Sequence, residues 1–113
     1  MKRYSSITRL PYRVVPDVTA ALKSEPVKVL VVDYDNREHL VDYQEKTNEW
    51  AEGKADRFFS SNEYLEHVAP GISKGAAVAF LCEYTGIPLC NTVAAGDAEN
   101  DISMIKAAHI AVP

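Results

Sequence analysis

Cysteine is scarce in this chain. Cys82 and Cys90 are its only two, eight positions apart, with neither a CxxC spacing nor histidines at ligand spacing. This argues against a disulfide framework and a Cys/His zinc site, and the expectation is buried or chemically idle thiols. Positive charge is in deficit as well: 12 Lys and Arg against 16 Asp and Glu leave a net charge of -4. A surface of that balance does not favour nucleic acid or an anionic membrane as partner. No apolar run approaches the roughly 20 residues of a membrane span. The N-terminal MKRYSSITRLPYR begins basic but lacks an apolar core of signal-peptide length. The expected setting is cytoplasmic. Internal repeats and low-complexity segments are also missing.

What is present is ordinary for a soluble globular protein: 47% hydrophobic and 25% charged residues. A length of 113 residues suits one domain or two partial ones, with little core to spare. Residues 1–15 show no clear period and read as strand or loop. Pro16 and Asp17 open a short helical pattern that Pro26 stops. Val27 to Val32 is a β-branched run that reads as a buried strand. Asp33-Tyr34-Asp35-Asn36 marks a turn and an N-cap, and Arg37 to about Ala51 reads as a weakly amphipathic surface helix ended by Gly53. Arg57–Ser61 and Tyr64–Ala69 are strands of a hairpin turning at Ser61-Asn62-Glu63. After Pro70-Gly71, Ser73 caps a helix to about Tyr84, closed by Gly86. Thr92–Ala95 is a strand, Asn100–Ala108 a helix, and Ile110–Val112 another strand. Helices alternating with apolar strands over the last 45 or so residues predict an α/β fold with a parallel sheet.

Two segments carry chemistry: Gly71-Ile72-Ser73-Lys74-Gly75 and Gly96-Asp97-Ala98-Glu99-Asn100-Asp101. A strand that ends in Gly-Asp sets a carboxylate at the carboxyl edge of a sheet, where open α/β sheets bind ligands. Asp97 and Asp101 are four apart, so a helix starting near Ala98 turns both toward one site. Paired carboxylates suit a hard cation such as magnesium. Lys74 stands at a helix start, where its charge opposes the helix dipole. A phosphate would explain it, because helix N-termini and ammonium groups both attract anions. Taken singly, a GD turn is a common cap and Lys74 an ordinary surface lysine. Their order and spacing together make the pattern specific.

GISKGAAVAFLCEYTGI followed by VAAGDAENDISMIKAAHIAV resembles the Cof-type branch of the haloacid dehalogenase superfamily, which shows a GVSKG-type segment and then a GDxxNDxxM segment. The likeness is close over 71–112 and looser back to Val27, where the strand, helix, two strands and Leu65-Glu66 are similar to the end of that family's α/β cap. The resemblance implies a partial cap domain over 1–70 and part of a Rossmann-like core over 71–113. It implies that Lys74 steadies the nucleophile and the phosphate, and that Asn100 reaches the phosphate. It implies Asp97 as a magnesium ligand and Asp101 as the second acid of the metal site. The implied reaction is phosphomonoester hydrolysis of a small phosphorylated metabolite, such as a sugar phosphate, through an aspartyl-phosphate.

The family's nucleophilic DxDx[TV] motif does not stand where the resemblance expects it, so this chain by itself is expected to be inactive or nearly so. Val29 to Asp35 imitates that motif, an apolar strand ending in DxD. Arg37 occupies the place of Thr or Val, no glycine stands at 36, and a cap strand of this kind is expected at this distance before GISKG. Asp33 is therefore read as a turn former. His67 beside Glu66 is not an acid–base pair, since adjacent strand residues face opposite ways; a partly exposed structural histidine is expected, as for His39 and His109. Tyr43, Trp50, Phe58 and Phe59 read as cap packing, with a substrate-specificity surface as the alternative. The rival readings are a non-catalytic binding module and half of a site completed by another chain. An unpaired edge at Thr92–Ala95 further suggests self-association.

Overall fold

The computed structural model describes residues 2–112. They form six α-helices and five strands in two sheets, a mixed α/β arrangement. The first sheet is antiparallel and three-stranded, in the order β1 (Lys28–Val32), β3 (Tyr64–Val68), β2 (Asp56–Ser61). The hairpin β2–β3 turns at Ser61-Asn62-Glu63 as the sequence predicts, with a register shift between Phe59 and Ser61. The central strand supplies Leu65, which is fully buried, and Leu40 of α3 (Arg37–Lys46) packs with it and Phe59 as the core.

β1 departs from the expected buried strand. It is an edge strand whose burial is at most partial, with Val29 half exposed, and Val27 before it is 94% exposed. An apolar β-branched run marks a strand but not how many neighbours cover it. The helix expected over 37–51 divides at Thr47 into α3 and α4 (Asn48–Ala51), because the Thr47 hydroxyl donates to the Tyr43 carbonyl at 2.7 Å and Arg57 donates into the same junction. Residues 2–8 also differ from expectation. They form α1 (Lys2–Thr8), held from outside by Tyr4 edge-on to Tyr64 at 5.8 Å and by Arg3 over the Tyr34 ring. No periodicity announces such a helix, since tertiary contact supplies what propensity does not.

The expected short helix is α2 (Val18–Ala21), with Asp17 as N-cap accepting from Thr19 N and Ala20 N. In the second half, Ser73 caps α5 (Lys74–Thr85) by accepting from Ala76 N at 3.1 Å, and Gly86 ends it at φ +72°. β4 (Val93–Ala95) and β5 (Ile110–Val112) pair in parallel through α6 (Ile102–Ala107), as the alternating pattern predicts. The helix between them starts late: Glu99–Asp101 is a tighter 3-10 turn, and Ala98 is extended. Both cysteines are free thiols, Cys82 partly buried and Cys90 exposed.

Candidate functional site

At the end of β4, Gly96 N donates to the Val112 carbonyl of β5 at 3.2 Å. Asp97 thus projects just past the carboxyl edge of the parallel pair, where it is exposed and lines a shallow concavity with Ala95, Gly96 and Val112. Beside it, Asp101 is 6% exposed. One of its carboxylate oxygens, Oδ1, accepts from the Lys74 ammonium, and Oδ2 accepts from Ala98 N at 3.2 Å. Donation by Lys74 is the main cause that holds the Asp101 carboxyl below the usual carboxylate range, outweighing the upward push of burial. The carboxylate is therefore ionised and pins the lysine in one place.

Two glycines make this contact possible. A Cβ on Gly96 would meet the Asp101 side chain, its Oδ2 at 2.8 Å, so the turn must be glycine for the carboxylate to lie against it. A Cβ on Gly75 would meet the Ser103 carbonyl carbon at 2.7 Å, and Gly75 N donates to Ser103 Oγ at 3.1 Å. The N-terminal turn of α5 therefore lies directly on α6, and that packing brings Lys74 to Asp101. The pairing has a trace in the sequence: a glycine inside a first helical turn costs stability and marks close approach of backbone.

Lys74 and Asn100 line one cavity of about 390 Å³ together with Phe58, Ser73, Ser103 and Lys106. Asn100 Oδ1 is buried without a hydrogen-bond partner, which leaves an acceptor in want of a donor. Phe58 and Lys106 are members of the cavity that sequence reasoning did not assign to it. Of the four expected site residues, Lys74, Asn100 and Asp101 are thus joined through this cavity and the ion pair, while Asp97 stands at the adjacent sheet edge. Among the described residues, no three Asp, Glu, His or Cys side chains converge as a ready-made metal cage. The donor set is nonetheless compatible with magnesium, which keeps several waters and needs only one or two protein carboxylates: Asp97 is exposed and offers one.

The DxD look-alike forms a hydrogen-bonded turn. Asp33 Oδ1 accepts from Asp35 N at 2.9 Å and Asn36 N at 3.0 Å, while Oδ2 meets His39 Nδ1 at 2.9 Å. Its oxygens close the turn ahead of α3, whose N-cap is Asn36. Arg37 lies over the Phe59 ring at 3.9 Å.

The family model for haloacid dehalogenase-like hydrolases matches residues 7–113. The chain belongs to that family. Among solved structures, a haloacid dehalogenase-like hydrolase from Bacteroides thetaiotaomicron superposes with a TM-score of 0.78 at 27% identity, over 96% of this chain and 40% of that one. A Thermotoga maritima protein superposes with a TM-score of 0.71 at 31% identity, again over 96% and 40%. Among curated proteins, the HMP-PP phosphatase of Cronobacter sakazakii is 42% identical over 50 residues, 44% of this chain and 18% of that protein. The chloroplastic endoribonuclease YBEY of Arabidopsis thaliana is 38% identical over 66 residues, 56% of this chain and 11% of that protein. The chain thus spans under a fifth of these curated relatives and about two fifths of these solved ones. No helix among the described residues is long and apolar enough to cross a membrane.

Proposed function

We propose that this chain carries the phosphate- and metal-handling part of a phosphomonoester hydrolase site, acting on a small phosphorylated metabolite. The observation that carries the reading is the Lys74 ammonium fixed by the buried Asp101 carboxylate beside Asn100, at the carboxyl edge that also holds Asp97. Residues 1–70 are read as part of a cap and 71–113 as part of the core, so that Phe58 of the first meets Lys74 and Asn100 of the second around one cavity. In this reading Lys74 holds a phosphoryl oxygen by a charge-assisted hydrogen bond. Asp97 holds a hydrated magnesium ion, which neutralises charge on the phosphoryl group when bound. Asp101, with both oxygens engaged, serves the site by orienting Lys74 and the 96–98 turn.

A second reading, in which another polypeptide completes the site, is favoured by the outer face of α5. Phe80 and Tyr84 stack there at 6.0 Å while 63% and 78% exposed.

Titration of the chain with magnesium and with inorganic phosphate, followed by amide NMR, tests the proposal. Shifts centred on 96–101 and 73–75 are expected. Asp97→Asn should weaken magnesium binding, and Lys74→Ala should weaken phosphate by about tenfold or more, the worth of a hydrogen bond to a charged group. Magnesium affinity unchanged in Asp97→Asn would place the metal elsewhere, and phosphate affinity unchanged in Lys74→Ala would remove the phosphate site.

A further inference from the structure

His67 lies outside the site just described and is buried in a setting that suits only its neutral form. It stands on the central strand β3 and is 8% exposed, where the sequence predicts a partly exposed residue. In register, Val29 of β1 flanks it on one side and Arg57 of β2 on the other. Tyr43 of α3 covers it, ring edge against ring at 5.8 Å. Neither ring nitrogen has a partner in hydrogen-bond geometry. Such a group is tolerated while uncharged, but a buried cation here would have only the Leu65 and Val29 carbonyls to offset the loss of water.

The residue opposite His67 is also the one that fastens the helices to the sheet. The Arg57 guanidinium donates to the Gln44 carbonyl at 2.9 Å, to Thr47 Oγ1 at 2.6 Å and to Asn48 Oδ1, which together make up the α3–α4 junction. A cavity of about 330 Å³ adjoins His67 and Trp50 of α4. Its other titratable members are Tyr43 of α3, Lys28 of β1, Lys54 beyond α4 and Glu25 ahead of β1. Lys28 is bound to Glu66 on the opposite face at 3.0 Å. Cations thus outnumber the one carboxylate, and no acid is paired with the imidazole.

We propose that His67 makes the α3–α4 layer an acid-sensitive latch: a proton on its ring releases both helices from the three-stranded sheet. The sign follows from the surroundings. Burial first, and the Arg57 charge second, lower the His67 pKa from its ordinary 6.5, against a smaller upward pull by the Leu65 and Val29 carbonyls. The opened state takes up a proton near 6.5 and the closed state only at lower pH. Stability is therefore complete above about 6.5 and is lost as pH falls below it toward the folded-state pKa. The added proton also sets a second positive charge beside Arg57, at the point of attachment. His39 lies on the exposed side of α3 with Asp33, and His109 is exposed in the other half of the chain.

The test uses the full chain. Trp50 is its only tryptophan and stands in the layer that moves, so its fluorescence during urea titration reports opening. Between pH 7.5 and 5.5 the opening equilibrium constant should rise in the wild type, by up to about tenfold, the limit for an opened state that titrates near 6.5, and lose that rise in His67→Gln and His67→Leu. NMR titration of the wild-type His67 ring, which needs no variant, should give a midpoint below 6.5. A midpoint at or above 6.5, or variants that keep the wild-type pH dependence, overturns the proposal.

Discussion

At the residue scale, the site depends on a lysine that would be mobile without Asp101. Lys74 is about half exposed along its side chain, yet its ammonium is tied to a carboxylate that is itself packed against Gly96. Gly96→Ala should push Asp101 out of place and release Lys74. The expected result is loss of phosphate-induced shifts at 73–75 while the β2–β3 amides keep their positions; a variant with wild-type shifts at Lys74 would show that the glycine is not needed. Asp33 is the opposite case. Its oxygens are occupied by Asp35 N, Asn36 N and His39, and the donors hold its carboxyl below the usual range, the Asp35 amide first. That contribution to the turn is present above the ordinary carboxyl value and fades as pH drops below it. Asp33→Asn should leave phosphate and magnesium titrations unchanged. If the chain hydrolyses an aryl phosphate in magnesium and this substitution abolishes the activity with the fold intact, Asp33 is the nucleophile after all.

At the element scale, two packings do different work. α3 packs on β3 and β2 through Leu40, Leu65 and Phe59, an apolar contact whose residues do not line the Lys74–Asn100 cavity. α5 on α6 is held by backbone approach at Gly75 and Ser103, and it places Lys74 against Asp101. Leu65→Ala should cost about 2–5 kcal/mol, as truncation of a buried leucine does. Gly75→Ala should cost about 1–3 kcal/mol through overpacking, and it should also weaken phosphate binding because α6 must shift. Chemical denaturation followed beside phosphate titration separates the two. Equal losses of phosphate affinity in both variants would mean that binding follows global stability and not the α5–α6 contact.

At the scale of the whole molecule, the second half leaves apolar surface open. A two-stranded parallel sheet is rare on its own because parallel strands are normally covered on both faces, and here Val93 and Ile110 are each more than half exposed. The outer side of α5 adds Phe80, Leu81 and Tyr84. The N-terminal α1 packs on Tyr64 of the other sheet and on Tyr34 in the turn after β1. Exposed edges and apolar faces favour pairing with a further chain, so light scattering should show mass rising with concentration. A monodisperse monomer up to high micromolar concentration, with protected amides along Thr92 to Ala95, would show the edge to be satisfied within one chain.

Local signals were enough for most elements and for the family. Asp17, Asn36, Ser73 and Gly86 act through bonds to residues a few places away, so their caps and stops are legible in the sequence. The order GISKG then GDAEND likewise identifies the family from short segments. Contacts between distant segments were decided only by the tertiary structure. Tyr4 on Tyr64 makes a helix of 2–8, the β1-β3-β2 order turns an apolar run into an edge strand, and Arg57 divides one helix into two. Asp101 turns to Lys74 because Gly75 lets α5 lie on α6. His67 is buried because β3 is central and Tyr43 covers it, and neither fact is written in the residues beside it.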